Sequence, residues 1–229
     1  MPGLIRILIL LGLIFFGLGS CSNPLEPVEP EFVLKTESIM VFQEEFAQEL
    51  DLKLAAYPYD LNQNPLEYNG LVLDLVSSFS EELVILSAAK EKGIGVDPSE
   101  LEAAETYFQE DYPEESFDEM LLENAISYEF WKKRLEKNLI MEKFIQQELT
   151  DKIEITTQDL VEFYNKHLSQ KLDEKELLSK LRLEKSQDSY EDWIMELKKN
   201  HPMEINEKIL ARFLIKDDKG QTNKGQTND

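Results

Sequence analysis

Apolar residues along this chain fall into three regimes: an unbroken run near the start, a long central region where they recur every third or fourth residue, and a closing polar segment. The central spacing predicts helices, because positions three and four apart share one helix face. Phe42, Phe46, Leu50 and Leu54 define a first helix, ended by the turn signals Tyr57-Pro58-Tyr59-Asp60 and Asn62-Gln63-Asn64-Pro65. A second, from about Leu66 to Lys92, turns Leu71, Leu75, Phe79, Leu83 and Leu86 inward and stops at Gly93. Asp97-Pro98-Ser99-Glu100 opens a third, with Asp97 as N-cap, Pro98 at the first helical position and Glu100 as the reciprocal cap.

Phe117 to Glu123 predicts a short helix closed by Asn124, a residue type that tolerates a left-handed cap. Ser127 caps the next, which carries Phe130, Trp131, Leu135, Leu139, Phe144, Ile145 and Leu149. Thr156 and Asp159 form a capping box for the Leu160, Phe163, Tyr164 helix. A last helix spans roughly Asp173 to Asn200, with Leu177, Leu181, Tyr190, Trp193, Ile194 and Leu197 on one face and Pro202 beyond its end. Two short strand candidates, Ser38 to Val41 and Met203 to Ile205, would tie the ends of this region together if they pair. The expected fold is therefore all-α: a single compact helical domain over 32–213, with a tiny two-stranded β element joining its N- and C-terminal segments.

The apolar run at the start, Ile7 to Leu18, follows Arg6 and precedes the small residues Gly19 and Ser20. That order marks a secretory signal, and the run is shorter than the ~20 apolar residues a membrane span needs. Leu18-Gly19-Ser20-Cys21 resembles the lipobox of bacterial lipoproteins, which implies cleavage after residue 20 and lipid on Cys21. Ser22, where an aspartate would signal inner-membrane retention in many bacteria, favours a periplasm-facing anchor in the outer membrane. Residues 21–31 place proline at every third position from Pro24 to Pro30, with carboxylates between, an extended tether of ~3 Å per residue. At the other end, 214–229 contains a polar direct repeat, Lys219-Gly-Gln-Thr-Asn and Lys224-Gly-Gln-Thr-Asn, and reads as a disordered tail.

Charge narrows the partners. The chain has 24 Lys and Arg against 46 Asp and Glu, a net charge of −22, and losing Arg6 with the signal takes the mature form to −23. Nucleic acid and anionic head groups repel such a chain. Cys21 is the sole cysteine, so lipidation leaves no thiol for a disulfide, a metal site or a nucleophile. No serine elbow or phosphate loop is present, and the acidic stretch from Glu110 to Glu119 lacks the alternating ligands and central glycine of a calcium loop. No cofactor and no metal are expected. Aromatic residues remain the candidates for binding: Tyr57, Tyr59, Tyr107, Phe108 and Tyr112 stand in polar or proline-rich surroundings that make complete burial difficult, and some of them would line an apolar groove between helices that receives unfolded segments. Trp131 and Trp193, within apolar stripes, read as core.

The segment Phe117-Asp-Glu-Met-Leu-Leu-Glu-Asn-Ala-Ile-Ser-Tyr-Glu-Phe-Trp-Lys-Lys-Arg-Leu-Glu-Lys-Asn-Leu resembles the central motif of the SurA/PrsA-type N-terminal chaperone domain, a short helix, a left-handed turn and a long Trp-bearing helix. Asn124 stands where that family usually has glycine. The likeness extends upstream to Ser87 through Val96, and downstream to Ile155-Thr-Thr-Gln-Asp-Leu-Val-Glu-Phe-Tyr and the Tyr190 to Asn200 segment. It implies a chaperone or assembly factor whose partners are unfolded or partly folded exported proteins. Family members commonly insert a parvulin prolyl isomerase module of about 100 residues before the closing helix. Here about twenty residues separate His167 from Tyr190, so no such module fits, and the two histidines, His167 and His201, read as surface residues. The expected mechanism is holding, without catalysis. A dedicated, non-catalytic subunit of an envelope complex is the alternative, and prolyl isomerisation comes third.

Overall fold

The computed structural model describes residues 31–110, 112–113, 116–167 and 173–216. The signal segment, Cys21, the tether up to Pro30 and residues 217–229 of the tail lie outside the described residues. The fold is mostly helical with a small antiparallel sheet, as the periodicity predicts.

β1 (Phe32–Lys35) and β2 (Met40–Phe42) lead into α1 (Gln43–Leu54), followed by α2 (Pro65–Glu91), α3 (Pro98–Glu110) and α4 (Ser116–Glu123). Then come α5 (Tyr128–Glu148), α6 (Thr157–Lys166), α7 (Glu174–Asn200), β3 (Glu204–Ile205) and the single-turn α8 (Glu207–Leu210). The 27-residue α2, ~40 Å long, is the spine of this body. The stretch from Leu71 to Leu83 packs Leu71, Val72, Leu75, Val76, Phe79 and Leu83 against the sheet, α1 and α8, where Val33, Leu34, Val41, Phe46 and Ile209 are buried. The stretch that follows packs Val84, Ile85, Ala88 and Ala89 against Phe144 of α5 and Ile194 of α7. Two apolar clusters thus share one helix, which explains why α2 is buried on nearly every side from Glu82 to Ala89.

The two strand candidates do not pair with each other. β1 lies between them, in the order β2-β1-β3, with Leu34 opposite both Val41 and Ile205. Alternation could not mark β1, because its register is broken between Phe32 and Leu34 and the consecutive Val33 and Leu34 are both buried. The sheet still joins the two ends of the body, and Lys35 pairs with Glu204 across it at 3.0 Å. The C-terminal boundary also lies further on than Phe213. Leu214 packs on the first cluster, and Asn69 both donates to the Ile215 carbonyl at 2.8 Å and accepts from its amide at 2.9 Å.

The caps predicted at Gly93, Asp97, Ser127 and Thr156 are present. Asp97 Oδ1 accepts from the amides of Ser99 and Glu100, and the Glu100 carboxylate accepts from the Asp97 amide. Thr156 with Asp159 and Asp173 with Glu176 form reciprocal capping boxes, and Ser127 accepts from the Phe130 amide. Gly93, at φ 68°, closes α2 in a Schellman motif, its amide bonded to the Lys90 carbonyl and that of Ile94 to the Ala89 carbonyl. At the end of α4 the left-handed residue is Ala125, φ 53°, and not Asn124. The amides of Ala125 and Ile126 bond the Leu122 and Leu121 carbonyls, which places Asn124 at the last helical turn. Its side chain donates instead to the Met120 carbonyl at 2.8 Å, a local bond that Asn makes readily and that holds it inside the helix end.

Candidate functional site

α3 has no buried residue. It rests on α5 through a layer of rings in which Phe108 lies 5.3 Å from Trp131, 5.6 Å from Tyr112 and 6.0 Å from Phe117. Phe117, on α4, meets Trp131 edge-on at 4.8 Å, and Tyr128 lies 5.9 Å from Trp131. These stacked, tilted and T-shaped contacts suit the ring quadrupoles. The layer is incompletely covered: Phe117 is buried, but Trp131 and Tyr112 are half-buried and Phe108 and Tyr128 are exposed. On its rim Glu105 bonds Lys132 at 2.9 Å and accepts from the Tyr128 hydroxyl.

Of the five aromatic candidates, the structure brings Phe108 and Tyr112 together. Tyr107, on the same helix, points outward and is 73% exposed. Tyr57 and Tyr59 sit in the turn after α1, both exposed, and among the described residues no ring contact links them to the α3 layer. Trp131 and Trp193 are half-buried where core was expected: Trp131 completes the open layer, and Trp193 flanks the second apolar cluster, 5.8 Å from Phe144.

A groove that the sequence reading did not mark runs between α1 and the corner joining α4 to α5. Two lobes of 430 and 410 Å³ meet at Gln48, Ser127 and Phe130. The signal that could have found it is the adjacent pair Phe130-Trp131: consecutive helical residues diverge by ~100°, so both cannot face one core. Trp131 turns to α3, and Phe130 turns to the groove.

One wall of the first lobe is fixed by charge. Glu82 of α2 is buried, and accepts from Arg134 at 2.6 Å and from Lys137 at 3.0 Å, both on α5. Lys137 also pairs with Glu45 of α1, and Arg134 Nε lies 2.8 Å from Glu49 Oε1 without the alignment of a hydrogen bond. Burial pushes the Glu49 carboxyl above its ordinary range, against the pull of Arg134. Burial works against the Lys137 ammonium too, but the facing carboxylates, Glu82 foremost, more than offset it. Five charges from three helices thus lock α1 to α2 and α5.

His167 bonds the Phe163 carbonyl through Nδ1 at 2.9 Å and stacks on its ring, while His201 lies 3.6 Å from Glu91. Among the described residues no group of three or more His, Cys, Asp or Glu side chains is placed to hold a metal ion. No helix among them is long and apolar enough to cross a membrane. No protein-family model matches the chain, and comparison with curated protein sequences finds no match.

Proposed function

We propose that the protein is a membrane-tethered chaperone of the cell envelope, which holds unfolded or partly folded exported proteins without catalysing a reaction on them. The observation that carries this reading is the open aromatic layer between α3, α4 and α5, a partly exposed set of large rings on a helix that buries none of its own residues. Rings offer large apolar contact at low entropy cost, and exposed apolar patches mark interaction sites. A net charge of −22 keeps such a surface soluble and favours basic clients. The signal segment and the Leu18-Gly19-Ser20-Cys21 motif support a lipid anchor on Cys21, with Ser22 favouring the outer membrane. The likeness of residues 117–139 to the SurA/PrsA-type chaperone domain supports the same function, with no isomerase module.

The second reading, a dedicated subunit of an envelope complex, draws on the charge-locked wall of the α1–α5 groove, since a preformed surface suits one folded partner. Fluorescence anisotropy with several unrelated unfolded exported proteins separates the two. The chaperone binds them all at similar micromolar concentrations, whereas a subunit ignores them and captures one folded partner tightly.

A further inference from the structure

The second lobe of the α1–α5 groove has chemistry that neither the aromatic layer nor the ion lock uses. Its floor is Leu52, Ile126 and Phe130, all half-buried, with Ala55 and Ala125 beside them. Its rim carries two exposed carboxylates, Asp51 and Glu123, and its lining contains no Lys or Arg. Among the described residues neither carboxylate makes an ion pair. The cations of the adjoining lobe are already engaged: Arg134 and Lys137 by Glu82, Glu49 and Glu45, and Lys133 by Glu129 at 3.1 Å. The C-terminal end of α4 also opens here, adding the negative end of a helix dipole.

We infer that this lobe receives a lysine or arginine side chain presented beside an apolar residue by an extended client segment. The inference rests on the chaperone reading only for where that segment comes from. In this inference the ammonium or guanidinium group pairs with Asp51 and Glu123, its methylene stem packs on Leu52 and Ile126, and the neighbouring apolar residue covers Phe130. An acidic segment meets uncompensated carboxylates and is rejected, so the lobe supplies a charge preference that the aromatic layer lacks.

The test uses the full chain in nonionic detergent and two fluorescent ten-residue probes. One carries Leu-Arg-Leu in a Gly-Ser background, the other Leu-Glu-Leu. The expected result is at least tenfold tighter binding of the arginine probe, a loss of about tenfold in the double variant Asp51→Asn with Glu123→Gln, and weakening in 0.5 M salt. Because both positions are exposed, the variant should unfold at the same temperature as the parent. Equal affinity for the two probes, binding of neither, or an unchanged affinity in the double variant overturns the inference. Parallel measurement of protection against aggregation separates the outcomes: protection without the arginine preference sinks the cation lobe alone, and loss of both sinks the chaperone reading with it.

Discussion

Ala125 holds a left-handed backbone with a methyl group attached, in a turn whose two Schellman bonds leave it no other conformation. A non-glycine residue in that region costs on the order of 1 kcal/mol. Ala125→Gly should therefore raise stability by about 0.5–1 kcal/mol in urea unfolding, whereas Asn124→Gly should lower it, since it removes the side-chain bond to Met120 and relieves no strain. Tyr107 and Phe108 differ just as sharply. Tyr107→Ser should leave stability within about 0.5 kcal/mol and weaken client binding. Phe108→Ser should weaken binding too but also cost about 1–2 kcal/mol, because Phe108 packs on Trp131 and Phe117. Equal stability of the two variants in urea would show that the ring layer contributes nothing to folding. Their sequence neighbourhood gives both residues the same reading. What separates them is their angular position on α3, which matters only once α5 is known to lie beneath it.

At the scale of elements, most helices were legible because they carry their own punctuation: Asp97-Pro98 to start α3, Gly93 to stop α2, Ser127 to start α5 and the Thr156/Asp159 box to start α6. What the sequence did not reveal was non-local. β1 escaped because a bulge destroys its alternation, and the ion lock escaped because Glu45, Glu49, Glu82, Arg134 and Lys137 look like ordinary solvated charges until three helices converge. Glu82→Leu should cost about 3 kcal/mol, since it leaves two partly buried cations short of their shared carboxylate. Adding Arg134→Met should restore much of that loss, and a double-mutant cycle in urea measures the coupling. The α6–α7 contact gives a pH signature. The Lys185 ammonium, together with the Thr156 backbone and hydroxyl, holds the Asp159 carboxyl down at about 2 from its ordinary 3.8. A carboxyl lowered in the fold stabilises it above the unfolded value and loses that contribution as pH falls through the folded one. Urea midpoints should therefore decline between pH ~4 and ~2 less steeply in Lys185→Gln than in the parent.

Across the whole molecule, one helix carries two apolar clusters, a sheet closes the ends, and the surfaces suited to binding lie around the α4–α5 corner, with the aromatic layer on one side and the groove on the other. Both surfaces depend on α5 presenting Phe130 and Trp131 in divergent directions. In the proposed account, lipid on Cys21 and the proline-spaced segment after it hold this body near the membrane, where exported chains are still unfolded. The residues of both apolar clusters all follow Glu31, so a fragment beginning at Asn23 keeps every one of them. The most direct measurement is light scattering of an unfolded outer-membrane protein diluted from urea with and without that fragment. The account predicts suppressed aggregation at near-stoichiometric amounts, weakened in Tyr107→Ser. Aggregation that proceeds unchanged at several-fold excess of the fragment would contradict it.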